Sequence, residues 1–72
     1  YDLPRRSHIK ISVFDMVGRE IRVLVDEEKD AGEYLFTFDA RTTEGKALPS
    51  GIYFYRLQTG SFVKTVKMAL IR

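Results

Sequence analysis

The residues that could take part in chemistry are few and widely spaced. The chain has one histidine, His8, and no cysteine. No serine lies in a nucleophile-elbow sequence, so nucleophilic catalysis and a histidine or thiolate metal site lack their parts. The glycines form neither G-x-G-x-x-G nor a P-loop. The sequence therefore predicts a protein that is not an enzyme and that uses no cofactor.

The pattern closest to a metal site is an acidic run with carboxylates at positions 26, 28 and 30. A calcium loop needs glycine at its sixth position and a bidentate glutamate at its twelfth. Ala31 and Thr37 occupy those two positions here. We therefore interpret residues 26–32 as a polar connection and predict no metal site.

Charge is distributed unevenly along a chain whose net charge is +2. Residues 1–44 carry 7 basic and 10 acidic side chains, whereas residues 45–72 carry 5 basic and no acidic ones. A net charge this small does not indicate a nucleic-acid partner. Two interpretations of the basic end stay open. Its cations protect an exposed edge strand from aggregation, or they form a docking surface for an acidic partner.

Three segments of the first half alternate between apolar and polar residues, as half-buried strands do. They are residues 8–14, 20–25 and 33–39. A turn with Asp15 and Gly18 joins the first two, and Leu24 interrupts the second as a bulge would. Arg22 is expected to face solvent. The expected core-facing residues are Ile9, Ile11, Val13, Ile21, Val23, Val25, Tyr34, Phe36 and Phe38.

Residues 49–57 form the predicted central strand. Pro49 and Gly51 open it, and apolar residues follow on both faces, as in a strand that is covered on two sides. We place Tyr53 and Tyr55 in the core, and expect the Tyr53 hydroxyl to bond to the preceding loop as a tyrosine corner does. A turn at residues 58–61 then leads to a last strand over residues 62–71.

No window of 11 or more residues shows helical periodicity. Six or seven short strands joined by hairpins predict an all-β fold, a small two-layer antiparallel sandwich of immunoglobulin-like type. Residues 1–72 are interpreted as one domain, and a chain that begins with Tyr1 is interpreted as the C-terminal fragment of a longer protein. Asp39 is expected to accept backbone hydrogen bonds at a strand end, and Arg56 to reach solvent.

The segments together resemble the C-terminal sorting domain of the type nine (Por) secretion system. The resemblance covers the whole chain in order. It rests on Tyr-Asp-Leu-Pro at 1–4, Val-Phe-Asp-Met-Val-Gly-Arg-Glu at 13–20, Ala-Gly at 31–32, an aromatic strand ending in Asp39, Gly45, Pro-Ser-Gly-Ile-Tyr-Phe-Tyr-Arg-Leu at 49–57, and Lys-Met-Ala-Leu-Ile-Arg at 67–72. Its structural-motif positions are Gly18, Gly32, Asp39, Gly45, Pro49, Gly51, Tyr53 and Tyr55.

The chain departs from that family in three ways. Phe38 stands where tryptophan is common, and Ala40 stands where glycine is usual. The family's upstream strand does not precede Tyr1. We therefore predict an incomplete or exposed edge near the N-terminus, which an upstream segment or another chain could fill.

The resemblance implies a non-catalytic C-terminal module that the outer-membrane export machinery recognises in folded form. It implies a covalently linked upstream cargo, a route through the periplasm of a Gram-negative bacterium to the cell surface or the medium, and cleavage by a sortase-like peptidase. It implies no nucleic acid, membrane insertion or cofactor. Guided by the charge asymmetry, we predict the recognition residues on the last strand: Lys64, Lys67, Met68 and Arg72.

Two other classes of protein share parts of the pattern. The sequence of the hairpin segments also resembles the immunoglobulin-like domain of flagellar hook-capping proteins, a structural or assembly module. Because the chain stops directly after its last strand, we favour sorting. An accessory adhesion or carbohydrate-binding domain of an extracellular enzyme is the third interpretation. It would require Phe14, Phe54 and Phe62 to face solvent on one surface.

Overall fold

Six strands form in the computed structural model, which describes residues 1–60 and 62–71. All pairings are antiparallel, and the described residues contain no helix, which confirms the all-β prediction. Over these residues there is accordingly no helix long and apolar enough to cross a membrane. The strands are β1 (Asp2–Leu3), β2 (Ser7–Phe14), β3 (Glu20–Lys29), β4 (Gly32–Glu33), β5 (Gly51–Thr59) and β6 (Phe62–Leu70).

Four of the strands form one sheet in the order β3-β2-β5-β6. The predicted hairpins β2–β3 and β5–β6 are both present, and β2 pairs with β5 between them. The predicted central strand is therefore one of two interior strands, and β3 and β6 are the edges. β1 and β4 form a separate two-stranded sheet, which makes the arrangement consistent with a small β-sandwich. Its immunoglobulin-like topology stays a prediction.

The core lies on the inner face of the larger sheet. Ile9, Ile11 and Val13 of β2 are fully buried, as their alternation predicts. Ile9 and Ile11 pack with Leu3 of β1 in one cluster, whereas Val13 packs with Leu48 and Tyr53 in a second. The two clusters together join the larger sheet to the second layer.

The prediction of a strand over residues 33–39 is wrong. Only Gly32–Glu33 forms a ladder, with β1. From Tyr34 to Asp39 the chain keeps the expected alternation of half-buried and exposed residues but has no strand assignment. Among the described residues no backbone hydrogen bond reaches residues 35–39. The ladder is this short because β1 is only two residues long. The expected completion of the N-terminal edge by an upstream segment or another chain stays a prediction.

Strand β3 differs from its prediction in length and in side-chain direction. It extends to Lys29, so that residues 26–29 belong to a strand and not to a connection. Register shifts in its pairing with β2 skip Leu24, as expected, and also Ile21. Val23 and Arg22 lie between the two bulges, which shift them by one residue against the rest of the strand and so exchange their faces. Val23 is exposed, and Arg22 turns towards Phe38 and Asp39.

Candidate recognition surface

The predicted recognition residues lie on the outer edge of the larger sheet. Within β6, Lys64 pairs with Leu57 of β5, Lys67 with Phe54 and Met68 with Tyr53. Arg72 lies outside the described residues. Because side chains alternate along a strand, Lys64 and Met68 belong to the inner face and Lys67 to the outer face.

The three described residues do not share one surface. Met68 is half-buried and packs against the second core cluster, beside Tyr53. Lys64 and Lys67 are exposed on opposite faces of the same edge. The two lysines therefore project from opposite faces of β6, and Met68 packs the strand on the core. Because side chains alternate along a strand, the odd spacing of positions 64 and 67 already places them on opposite faces.

An arginine that the sequence placed in solvent lies beside Lys67 on the outer face. The Arg56 guanidinium is 4.6 Å from the centre of the Phe14 ring, at a distance typical of a cation–π contact. Phe14 in turn pairs with Phe54, which pairs with Lys67. Arg56 is half-buried by this contact. The outer face therefore presents Arg56 over the Phe14 ring, with Lys67 paired beside Phe54.

The two edges of the larger sheet differ in how their charges are partnered. On β3, Asp26 lies 2.6 Å from His8, Glu20 lies 3.7 Å from Lys10, and Glu27 lies 3.0 Å from Lys29. Hydrogen bonding to Glu27 raises the pKa of Lys29 above its ordinary value. Within the part of the chain that the structure describes, Lys64 and Lys67 have no acidic partner. The carboxylates of β3 therefore have basic neighbours, whereas the two lysines of β6 have no acidic neighbour among the described residues.

An apolar cleft opens between the two layers beside the first half of β6. Leu57, Thr59 and Phe62 line it from the larger sheet, and Asp2 and Pro4 line it from the other side, around about 290 Å³. Phe62 is 54% exposed there. It belongs to the inner face, because it pairs with Thr59 and lies at odd spacing from Lys67.

The aromatic strip that carbohydrate binding would require does not form. Phe14 and Phe54 pair on the outer face of the larger sheet and are half-buried. Phe62 lies on the inner face. The three rings are therefore divided between the two faces of the sheet. Among the described residues no group of three or more His, Cys, Asp or Glu side chains is placed to hold a metal ion.

The turn between β2 and β3 has the predicted Asp15 and Gly18. Gly18 adopts a φ of 90°, a value that side-chain-bearing residues rarely adopt. The Asp15 carboxylate accepts hydrogen bonds from the backbone N–H groups of Arg19, at 3.0 Å, and Val17, at 2.9 Å. The first of these, together with the Arg19 side chain and the Val17 N–H, lowers the pKa of Asp15. The turn is therefore fixed by its own side chain.

The predicted tyrosine corner is present at the start of β5. The Tyr53 hydroxyl donates a hydrogen bond of 2.7 Å to the carbonyl oxygen of Pro49, and the residue is only 6% exposed. Tyr55, two residues on, is half-buried with its ring 5.3 Å from that of Phe36 in an edge-on contact. Both tyrosines therefore hold the second layer against the sheet, as expected for core residues.

The loop after Phe38 differs from expectation at two positions. The Asp39 carboxylate accepts a hydrogen bond from the guanidinium of Arg22 rather than from backbone N–H groups, because Arg22 lies between the two bulges of β3 and pairs with Val13 on the inner face. Ala40 has a φ of 59°, in the left-handed region where glycine is favoured. Gly45 has a φ of 88°, and its N–H donates to the Thr42 carbonyl oxygen.

Comparison with known proteins now identifies the family. A family model described as the secretion system C-terminal sorting domain matches residues 2–72. Searches of curated proteins and of solved structures return no significant match. The match covers all but one residue of the chain and agrees with the resemblance drawn from the ordered motifs. The chain belongs to the secretion system C-terminal sorting domain family, the non-catalytic sorting tail of type IX secretion.

Proposed function

We propose that this domain directs a covalently attached upstream cargo through the periplasm and across the outer membrane of a Gram-negative bacterium. The observation that carries this function is the family match over residues 2–72. The cargo is delivered to the cell surface or the medium. A sortase-like peptidase then removes the domain. Residues 1–72 act as a single folded unit, and the export machinery recognises that unit.

The surface we propose for recognition is the β6 edge. Lys64 and Lys67 are exposed there and have no acidic partner among the described residues. Arg72 adds a third cation to this end of the chain. Unpartnered cations favour an acidic partner, because electrostatic complementarity raises the rate of encounter and excludes basic surfaces. Met68 contributes by packing the strand on the core.

Export of a fusion protein tests the function directly. A fluorescent reporter carrying a signal peptide and ending in residues 1–72 is expressed in a bacterium with a type IX system, and the surface and medium fractions are measured. We expect the reporter to leave the periplasm only when both the domain and the export machinery are present. Equal export without the domain, or in a strain that lacks the machinery, would contradict the proposal.

A pair of charge variants tests the recognition surface. Replacing Lys67 and Arg72 by alanine is expected to reduce export about tenfold. The matched control replaces Arg5 and Lys46, which lie outside β6, and removes the same charge; export of this control should stay within about twofold of the wild type. Wild-type export of the Lys67→Ala, Arg72→Ala variant would remove these residues from the recognition surface.

A further inference from the structure

The two edges of the larger sheet are not equally protected against an added strand. Strand β3 has two irregularities in its register, and its carboxylates lie beside basic side chains of its own chain. Bulges discourage edge-to-edge pairing. Strand β6 pairs with β5 in continuous register from Phe62 to Leu70, without a bulge. The regular backbone of β6 makes it the edge that can accept another strand.

The direction in which each residue of β6 points its N–H and C=O groups follows from the backbone hydrogen bond that closes the β2–β3 turn. The Asp15 N–H donates to the Arg19 carbonyl oxygen at 3.0 Å, so odd-numbered residues of β2 bond towards β3 and even-numbered ones towards β5. The pair Phe14–Phe54 then assigns even-numbered residues of β5 to β2, and odd-numbered ones to β6. Because Tyr53 pairs with Met68, even-numbered residues of β6 bond to β5.

The odd-numbered residues of β6 therefore direct their N–H and C=O groups at the free edge. These are Val63, Thr65, Lys67 and Ala69. All four are exposed, and the side chains of this set lie on the outer face, with Lys67 beside the Phe14–Phe54 pair. A strand laid along this edge would form main-chain hydrogen bonds with all of them.

The inner-face side chains along the same edge define what such a strand would carry. Phe62 is half exposed at the cleft lined by Leu57 and Pro4, so an apolar side chain beside Phe62 would fill that cleft. Lys64 follows two residues later on the same face, so an acidic side chain suits the next inward position. Lys67 favours a second acid on the outer face. The lysines exclude basic strands and leave an acidic one acceptable.

We propose that the export machinery recognises this domain by strand addition: an extended segment with an apolar side chain beside Phe62 and acidic side chains beside Lys64 and Lys67 becomes a fifth strand beside β6. The inference rests on the proposed function and adds to it the mode of recognition and the chemistry of the partner. Main-chain bonds would supply the affinity, and the cleft and the two lysines would supply the selectivity.

Proline at an outward-bonding position tests the main-chain contribution. Thr65→Pro removes an N–H that bonds to no strand of this chain, whereas Thr65→Ala removes the side chain and keeps the N–H. With the reporter fusion, we expect Thr65→Pro to lower export at least tenfold and Thr65→Ala to leave it within about twofold of the wild type. Thermal unfolding of each purified domain must remain cooperative. A folded Thr65→Pro domain that exports at the wild-type level overturns the proposal.

A second pair of variants covers the case in which Thr65→Pro does not fold. Val63→Pro against Val63→Ala applies the same test one outward position nearer to the turn. If neither proline variant folds, charge variants at Lys64 and Lys67 test whether the partner strand is acidic. Lys64→Glu with Lys67→Glu should lower export at least tenfold, against Arg5→Glu with Lys46→Glu as the control. Wild-type export of the first, in a folded domain, overturns the acidic partner.

The controls separate this inference from the function on which it rests. If the wild-type fusion is not exported in a manner that depends on the machinery, the sorting function itself fails. If the wild-type fusion is exported and the folded proline and charge variants are exported equally well, sorting stands and strand addition at β6 fails.

Discussion

The two layers of this molecule contain segments with the same alternation of apolar and polar residues, but only one layer is a complete sheet. In the larger sheet, β2 and β5 each pair on both sides. In the second layer the ladder ends at Glu33, and residues 35–39 have no backbone partner among the described residues. Alternation therefore determines which side chains are buried. A hydrogen-bonded ladder also requires a partner strand at the right distance.

Aromatic contacts replace the missing ladder in the second layer. The Tyr34 ring stacks on Tyr1 at 5.6 Å, and Phe36 meets the Tyr55 ring edge-on. Phe38 lies 5.9 Å from the Arg22 guanidinium. Such contacts hold side chains against the sheet and leave the backbone N–H groups open to solvent. The two layers should therefore differ most in the properties of the backbone.

Hydrogen exchange should show the largest difference between the layers. Amides of Ile9 and Ile11 in β2 should exchange roughly a thousandfold or more slowly than they would in an unfolded chain, since they open only on global unfolding. Amides of residues 35–39 should exchange within about tenfold of the unprotected rate. Exchange followed by NMR measures both. Equal protection of the two segments would contradict an unpaired edge at residues 35–39. If these amides become protected when residues are added before Tyr1, the added segment pairs with this edge.

Truncation of one buried side chain should have the next largest effect. Ile11→Ala removes a fully buried side chain between the two layers, and should lower the free energy of unfolding by about 3 kcal/mol. Leu35→Ala is the matched change in the second layer, where the side chain is 98% exposed. It should change stability by less than about 0.5 kcal/mol. Urea denaturation of both variants tests this, and equal losses would show that burial does not separate the layers.

Removal of a hydroxyl compares one hydrogen bond in each layer. Tyr53→Phe removes the donor to the Pro49 carbonyl oxygen, which is partly buried, and should cost about 1 kcal/mol. Tyr34→Phe removes the donor to the Asp30 carbonyl oxygen, which is exposed to water. The second substitution should cost less than half as much as the first. If chemical denaturation gives the same loss for both, the tyrosine corner has no special weight in this fold.

Glycine at position 40 should stabilise the domain slightly. Ala40 occupies the left-handed region at a cost of about 1 kcal/mol, and glycine would remove that cost while adding disorder to the unfolded chain. We expect Ala40→Gly to raise stability by about 0.5 kcal/mol. Ala47 pairs with Arg41 in the same loop without a positive φ, so Ala47→Gly should lower stability. A Tm that falls for both variants would refute the strain at Ala40.

The features predicted correctly from the sequence are those that depend on neighbouring residues. The hairpins, the turn at Asp15, the bulge at Leu24 and the Tyr53 corner all follow from spacing along one or two strands. The charged residues of the β3 extension have the composition of a loop, and only their pairing with residues 7–10 of β2 shows that they form a strand.

Features that depend on distant pairing were predicted less well. Nothing in residues 33–39 indicates that they have no partner strand. The sequence indicates a bulge at Leu24 but gives no pattern for the one at Ile21, and the exchange of Val23 and Arg22 between faces follows only from the register between the two. On β6, the period of two separates Lys64 from Lys67 correctly. The sequence alone does not show that Lys64 and Lys67 have no acidic partner among the described residues. This follows only from the structure, in which the carboxylates of β3 lie beside other basic residues.

The two-residue ladder between β1 and β4 has a mechanical consequence. A tensile force applied to the chain through Tyr1 acts first on Asp2 and Leu3, whose pairing with β4 is the shortest ladder between the described strands. The larger sheet begins only at Ser7, and its ladders are six to nine residue pairs long. Under load the small sheet would yield first and lengthen the tether, so that the sheet carrying the β6 edge stays folded.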